Sequence, residues 1–253
     1  MVHAWRIGVG MVLAALLPVA SLAADVTLQS TVVRSGYFET PDCKPEADPA
    51  AFNECLCKAD IRKAEVIGGV SPSIASEINA VLAKVPEQLA RESCDGKPVQ
   101  PLASKLSINE AGASYQVVHQ TPEVLTVLVT YQTYGAGAAH PLGGTEGFTL
   151  DLKTGKPIDP THLLSSADLL KADAYVKQEL LKKYADSVFD ETKSRLEPFL
   201  TENGCDTCTM YYTKDGWNVR FQLYAVAPYV TGEPEILVPT DVIPAAETLI
   251  AKR

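Results

Sequence analysis

Alternating apolar and polar side chains predict β-strands in several parts of the chain. The most regular run spans residues 123–134, where one set of side chains is apolar and the intervening set is polar. This period of two is typical of a strand with one buried face. The apolar set is Leu125, Val127, Val129 and Tyr131, and the polar set is Thr126, Thr130 and Gln132. Further strands are predicted at 25–36, 61–67, 114–121, 148–152, 210–213, 217–224 and 236–238.

Helical spacing of apolar residues predicts three helices. The first covers 72–85, with Ser71 as N-cap and proline in its first turn. The second begins near Ser165, which forms a capping-box pattern with Asp168. A third is predicted over 190–200.

The order of these elements predicts an α+β fold. Strand runs are grouped around helices instead of alternating strictly with them, which favours antiparallel sheets with two or three packed helices. The two long helices suit one domain or two subdomains. We predict three segments: residues 1–23, an N-terminal α+β part at 24–100 with a cysteine-bearing loop, and a C-terminal α+β domain at 101–253.

The first 23 residues have the layout of a secretory signal peptide. Arg6 precedes an apolar run at 7–17, and the small residues Ser21 and Ala23 lie two apart. The alternative is a membrane anchor, but the run is shorter than the roughly 20 residues that span a bilayer. We therefore expect cleavage after Ala23, a periplasmic or secreted bacterial protein, and no stable membrane anchor afterwards.

Export changes how the six cysteines are interpreted. An even number in an oxidising compartment predicts up to three disulfides. Local closure favours a Cys205–Cys208 bond, with the other four bonding among themselves. A redox dithiol at 205–208 is disfavoured, because this C-x-x-C precedes a strand-like run instead of opening a helix. Zinc binding is disfavoured by export. The six are Cys43, Cys55, Cys57, Cys94, Cys205 and Cys208.

Charge narrows the class of partner. The chain has 31 acidic and 22 basic side chains, a net charge of −9. Removal of the signal peptide takes Arg6 with it, which leaves 21 basic side chains and a net charge of −10. This balance argues against a nucleic-acid partner and is compatible with attraction to a basic protein.

No catalytic pattern is present among the candidate residues. The mature chain has three histidines, His119, His140 and His162, and none is paired by sequence with a nucleophile. There is no G-x-S-x-G elbow, no H-E-x-x-H and no phosphate-binding loop. His119 is expected on a sheet face and His162 in a cap or loop contact. We therefore predict a protein that is not an enzyme and that uses no cofactor and no metal.

Two blocks of residues carry a resemblance to a known family. The first runs from Tyr131-Gln-Thr-Tyr134 through Ala139-His140-Pro141 to the strand 148–155, and the second covers 221–232 and 236–239. Together they resemble the extracellular domain of the bacterial anti-sigma factor RsiV, over roughly residues 60–245. A similar domain forms the non-catalytic region of some peptidoglycan deacetylases. This chain departs from the family in its cleavable signal, its lack of a deacetylase domain and its six cysteines.

The resemblance implies a stand-alone, exported binding domain at the cell envelope. Its best-described ligand in the family is lysozyme, and the wider theme is the cell wall. Animal-type lysozymes are basic and carry two carboxylates in their cleft. We expect the Gly-rich loop at 135–144, with His140 at its tip, to enter such a cleft, which would make the protein a lysozyme inhibitor. The predicted binding residues are Tyr131, Tyr134, Gly135, Gly137, His140 and Pro141.

Three alternatives stay open at this point. The Gly-rich loop can instead form a tight, buried turn near the two tyrosines. The protein can be an envelope enzyme that acts on peptidoglycan or other glycans. It can also be a structural module that assembles envelope proteins.

Overall fold

The computed structural model describes residues 25–40, 55–100 and 108–252. The predicted signal peptide and Cys43 lie outside these ranges. Within them the α+β prediction is confirmed, with two mainly antiparallel sheets and four helices. The helices are α1 (Pro72–Ser93), α2 (Ser166–Tyr184), α3 (Asp190–Ser194) and α4 (Ala246–Ile250), with single 3-10 turns at Pro160–His162 and Tyr229–Thr231.

The larger sheet has six strands in the order β3-β1-β2-β4-β5-β6. One pair departs from the antiparallel pattern: β2 and β4 are parallel, and α1 forms the crossover between them. The predicted boundary at residue 100 falls between β3 and β4 in the chain. The pairing of β2 with β4 continues the sheet across this boundary. The strands are β1 (Thr27–Glu39), β2 (Leu56–Gly68), β3 (Pro98–Val99), β4 (Asn109–Gln120), β5 (Val124–Tyr134) and β6 (Leu142–Asp151).

The smaller sheet has three strands and packs against α2. A buried core lies between them, and the Trp217 indole donates to the Pro244 carbonyl at 2.9 Å. The strands predicted at 210–213 and 217–224 pair as a hairpin whose turn contains Asp215 and Gly216. The strands are β7 (Cys208–Thr213), β8 (Gly216–Phe221) and β9 (Glu235–Val238), in the order β7-β8-β9.

Two helices differ in length from the prediction. Helix α1 continues through Pro86 to Ser93, beyond the predicted end at 85. Its added turns carry Leu89 and Ala90 into a core around Cys57, and this burial offsets the hydrogen bond that a proline removes. Helix α3 instead ends at Ser194, because Arg195 already has an extended backbone, and Pro198 keeps the helix from resuming. In the described ranges, no helix is long and apolar enough to cross a membrane.

The first half of strand β5 is buried on both faces, so the prediction of one solvent-facing side was wrong there. Six consecutive residues from Val124 to Val129 are buried, whereas Thr130 and Gln132 further along are exposed as predicted. Helix α1 covers the apolar face, and β7 approaches the other. Thr126 is fully buried there and donates to the Thr149 hydroxyl at 3.3 Å, which in turn accepts from the Tyr212 backbone N–H at 2.8 Å. Threonine suits this face of β5 because its hydroxyl forms a hydrogen bond where β7 covers the sheet.

The two sheets are joined along the edge strand β6. Two of its backbone N–H groups are satisfied by side chains: Thr145 donates to Glu233 Oε1 at 2.9 Å, and Gly147 donates to Thr209 Oγ1 at 2.8 Å. Gly147 also permits close packing, since a Cβ there would lie 2.7 Å from the Cβ of Tyr211. Side-chain hydrogen bonds and one glycine therefore fix the smaller sheet on the larger one.

Both disulfides seen between described cysteines agree with the predicted grouping. Cys205 bonds Cys208 within the loop before β7, as predicted from local closure. Cys57 bonds Cys94, which ties the start of β2 to the residue that follows α1. Cys55 is also disulfide-bonded.

Replacing Gly147 with alanine is expected to destabilise the protein by about 2 kcal/mol, because the added methyl group overpacks the contact with Tyr211. Gly112→Ala is the matched control, since a Cβ there meets its nearest atom at an ordinary 3.6 Å. Urea denaturation of both variants measures the difference. Equal stability of the two variants would contradict a steric requirement at Gly147.

The two disulfides are expected to contribute unequally. Chain entropy predicts a loss of about 4 kcal/mol for Cys57→Ala with Cys94→Ala, and about 2 kcal/mol for Cys205→Ala with Cys208→Ala. The reason is the sequence separation of 37 residues in the first and 3 in the second. Thermal unfolding monitored by circular dichroism compares the two double variants. A larger loss at 205–208 would show that chain entropy does not govern the order.

Candidate functional site

The Gly-rich loop connects β5 to β6, and its tip is exposed. Gly135, Gly137 and Ala138 are solvent-accessible, so the structure does not place the tip in a buried turn. The loop is nevertheless ordered by its own bonds. The Ala138 N–H donates to the Gly135 carbonyl, and the Tyr134 hydroxyl donates to the Ala138 carbonyl, both at 2.9 Å. Gly137 has φ +79°, the left-handed conformation that glycine adopts without strain.

The His140 side chain follows this tip and packs against aromatic side chains from the segment between β8 and β9 of the smaller sheet. Its ring stacks on Tyr229, with centroids 3.7 Å apart and planes at 17°. Its Nδ1 lies 3.1 Å from the Pro141 carbonyl and its Nε2 lies 3.0 Å from the Tyr224 hydroxyl. A carbonyl oxygen only accepts, so Nδ1 carries a proton, and in the tautomer protonated at Nδ1 alone the Nε2 atom accepts from the Tyr224 hydroxyl. The imidazole is held in one orientation by both nitrogens.

Tyr224 has an uncommon backbone conformation. Its φ is 64°, and no other non-glycine residue in the described chain has a positive φ. A non-glycine residue in this conformation lowers the stability of the fold by roughly 1–3 kcal/mol and persists only where its surroundings hold it in place. Here the hydrogen bond to His140 holds the Tyr224 side chain, although the residue remains 47% exposed.

We define the aromatic patch as His140, Leu142, Tyr224, Tyr229 and Val230. Its apolar members are unusually accessible: Leu142 is 54% exposed and Val230 is 91% exposed. Beside it lies a depression of about 250 Å³, to which Tyr131, Pro141 and Glu233 contribute along with Leu142 and Tyr229. The patch therefore combines exposed apolar side chains with a small adjoining cavity.

Of the six predicted binding residues, three meet at this place. His140 belongs to the patch, and Tyr131 and Pro141 line the depression. Tyr134, Gly135 and Gly137 shape the loop tip instead. Sequence reasoning missed Leu142, Tyr224, Tyr229, Val230 and Glu233 as site residues, although four of these lie in or next to the second block of the family-like pattern, 221–232.

Carboxylates give the site a negative character. Burial raises the pKa of the Glu146 carboxyl, the nearby Glu233 charge raises it further, and a hydrogen bond from Thr209 lowers it. Burial also raises the pKa of Tyr131, with smaller contributions in the same direction from Glu146 and Glu233. Two carboxylates therefore act on one tyrosine at the end of the sheet.

The remaining candidate residues lie elsewhere. His119 is on β4, as expected for a sheet-face residue, with its ring edge-on to Tyr212. His162 ends a 3-10 turn, and its Nδ1 lies 3.3 Å from Asp159 Oδ2. The Cys205–Cys208 bond borders a separate cavity of about 300 Å³. Among residues that the structure describes, no three His, Cys, Asp or Glu side chains are grouped to hold a metal ion.

Part of this chain matches a protein family to which no function has been assigned. Residues 166–241, from α2 to beyond β9, match the family model described as "Protein of unknown function (DUF3298)". No curated protein sequence matches significantly.

Two solved structures share the fold over most of their length. A DUF3298 family protein from Pseudomonas aeruginosa PAO1 superimposes with a TM-score of 0.54 at 14% identity, covering 87% of this chain and 93% of that one. A member of the same family from Bacteroides fragilis gives a TM-score of 0.54 at 17% identity, covering 85% and 91%. At these identities the likeness concerns the fold alone.

Replacing Tyr224 with phenylalanine is expected to loosen the loop without unfolding the protein. The substitution removes the hydroxyl that His140 Nε2 accepts from, a loss of about 1 kcal/mol. Amide exchange in peptides covering residues 135–144 should then accelerate about fivefold. Tyr175→Phe on α2 is the control, and unchanged exchange in Tyr224→Phe would contradict the role given to this bond.

Proposed function

We propose that this protein is an exported binding protein of the cell envelope, without catalytic activity, that recognises a cell-wall-related partner such as lysozyme. The observation that carries the proposal is the aromatic patch. Tyr224 and Tyr229 contact His140, whose two ring nitrogens are both hydrogen-bonded. Exposed Leu142 and Val230 follow His140 and Tyr229 closely in the chain. Exposed apolar groups grouped in this way mark protein interaction sites more often than catalytic centres.

The elements around the patch support binding of a macromolecule. The patch is built on two strand ends and two short loops that are joined by hydrogen bonds between the sheets, so it is a preformed surface. Preformed surfaces lose little conformational entropy when a partner docks. Tyrosine supplies both apolar area and a hydroxyl, which suits a protein or glycan surface.

Charge and the family-like pattern make lysozyme our first candidate partner. The mature chain is expected to carry a net charge of −10, which steers encounter with a basic protein. The resemblance to the extracellular domain of RsiV comes from the same two blocks that supply His140, Tyr224 and Tyr229. Two disulfides between described cysteines are compatible with a periplasmic or secreted location.

The proposal is tested by calorimetric titration of residues 24–253 with an animal-type lysozyme at low and at physiological salt. We expect binding that weakens as salt rises, because part of the attraction is electrostatic. Val230→Ser and Leu142→Ser should each weaken binding about tenfold, which is about 1.4 kcal/mol. Leu196→Ser is the matched control, since Leu196 is 92% exposed on the loop after α3 and lies outside the patch.

Each outcome has a defined meaning. No binding at low salt removes lysozyme as the partner. Capture from an envelope extract, with Val230→Ser as the comparison bait, then tests a different cell-wall partner. Equal weakening by Leu196→Ser would show that the aromatic patch is not the recognition surface.

A further inference from the structure

A third cavity lies under the C-terminal half of α1, and Tyr131 separates it from the depression beside the aromatic patch. Its volume is about 330 Å³, and it is bounded by Val85, Gln88, Leu89 and Glu92 from the helix and by Tyr131 and Glu146 from the sheet. The four helix residues recur at helical spacing, so they form one continuous wall. The opposite wall is the second half of β5 and the first half of β6, where the absence of a Cβ at Gly144 accommodates the Tyr131 hydroxyl.

The cavity wall combines apolar surface with carboxylates. Val85 and Leu89 supply aliphatic surface, and Tyr131 supplies an aromatic ring. At the mouth, Gln88 donates to Glu92 Oε1 at 2.8 Å, which fixes the direction of that carboxylate. An aliphatic wall, an aromatic ring and carboxylates together suit an organic cation with an apolar stem.

Glu146 is the member that most needs a ligand. It is partly buried, it forms no ion pair with any described Lys, Arg or His, and the charge that acts on it is the like charge of Glu233. The one side chain that stabilises its ionised form is the Thr209 hydroxyl. A partly buried carboxylate beside another carboxylate costs stability, and a cation placed next to it removes that cost.

We infer that this cavity binds a primary alkylammonium group, with Glu146 and Glu92 accepting from the ammonium and the stem lying on Val85, Leu89 and Tyr131. The geometry favours such a group over a bare divalent cation, because Val85, Leu89 and the Tyr131 ring give an alkyl stem a surface to lie on beside the two carboxylates. A small free amine and a lysine-type side chain on a larger partner share this chemistry. The inference does not depend on the aromatic patch.

The test is a nuclear magnetic resonance titration of residues 24–253 with N-acetyl-lysine methylamide. Its neutral counterpart, N-acetyl-norleucine methylamide, has the same stem without the ammonium. We expect saturable shifts at the amides of Gln88, Leu89 and Tyr131, with a Kd of about 1 mM. The norleucine compound should produce none. Cadaverine, titrated in parallel, represents the small free amine.

Glu146→Gln should weaken binding of the lysine compound about tenfold, because it removes a charge-assisted hydrogen bond. It should not lower Tm, because the variant also removes the unpaired charge, and this shows that lost binding is not lost folding. Glu197→Gln removes the same charge from the exposed loop after α3 and should leave binding unchanged. Binding of cadaverine alone identifies a small amine as the ligand, whereas binding of both compounds admits a lysine-type side chain.

Three results would overturn the inference. One is a set of shifts that does not saturate or that Glu197→Gln reduces as much as Glu146→Gln does. Another is equal binding of the norleucine compound. The third is a titration with Ca²⁺ that produces the same shifts at a lower concentration, which would make the cavity a metal site.

Discussion

The fold depends on how the three-stranded sheet is attached to the edge of β6. Within the described ranges, no backbone pairing joins a strand of one sheet to a strand of the other. Side chains do: the Glu233 carboxylate and the Thr209 hydroxyl accept from the outward N–H groups of Thr145 and Gly147. Unpaired N–H groups on a buried edge are costly, so these two acceptors stabilise the contact as well as direct it. The absence of a side chain at Gly147 then lets Tyr211 approach closely.

This attachment also creates the candidate site. Thr145 directly follows the Gly-rich loop that carries His140, and Glu233 lies just after the 3-10 turn that carries Tyr229. The hydrogen bond between Thr145 and Glu233 therefore brings the loop close to the 3-10 turn. His140 contacts Tyr229 and Tyr224 as a result. The complete patch therefore needs both sheets, because each contributes one half of it. The family match at 166–241 contains only one of these halves.

Local patterns predicted much of the fold, and long-range contacts account for what they missed. Ser71 and Ser165 were predictable as helix caps because capping acts within one turn. The second buried face of β5 was not, because Thr126 looks like a solvent-facing residue until β7 covers it. Helix α1 is longer than predicted for the same reason, because distant strands contribute the core that packs against its last turns. His140 was predictable as a site residue, whereas its partners 84 and 89 positions away were not.

The positive φ of Tyr224 has an evolutionary consequence. A residue with a left-handed backbone is restricted to few replacements, and this applies to Tyr224 and to Gly137, whereas Gly135 and Ala138 at the neighbouring tip are exposed and free of that constraint. Glycine and asparagine adopt the left-handed conformation at lower cost than tyrosine, but neither supplies a ring. Variation among related chains should therefore concentrate at Gly135 and Ala138 and spare the position of Tyr224. A lineage that changes its partner would diversify the loop first and keep the aromatic base on which it rests.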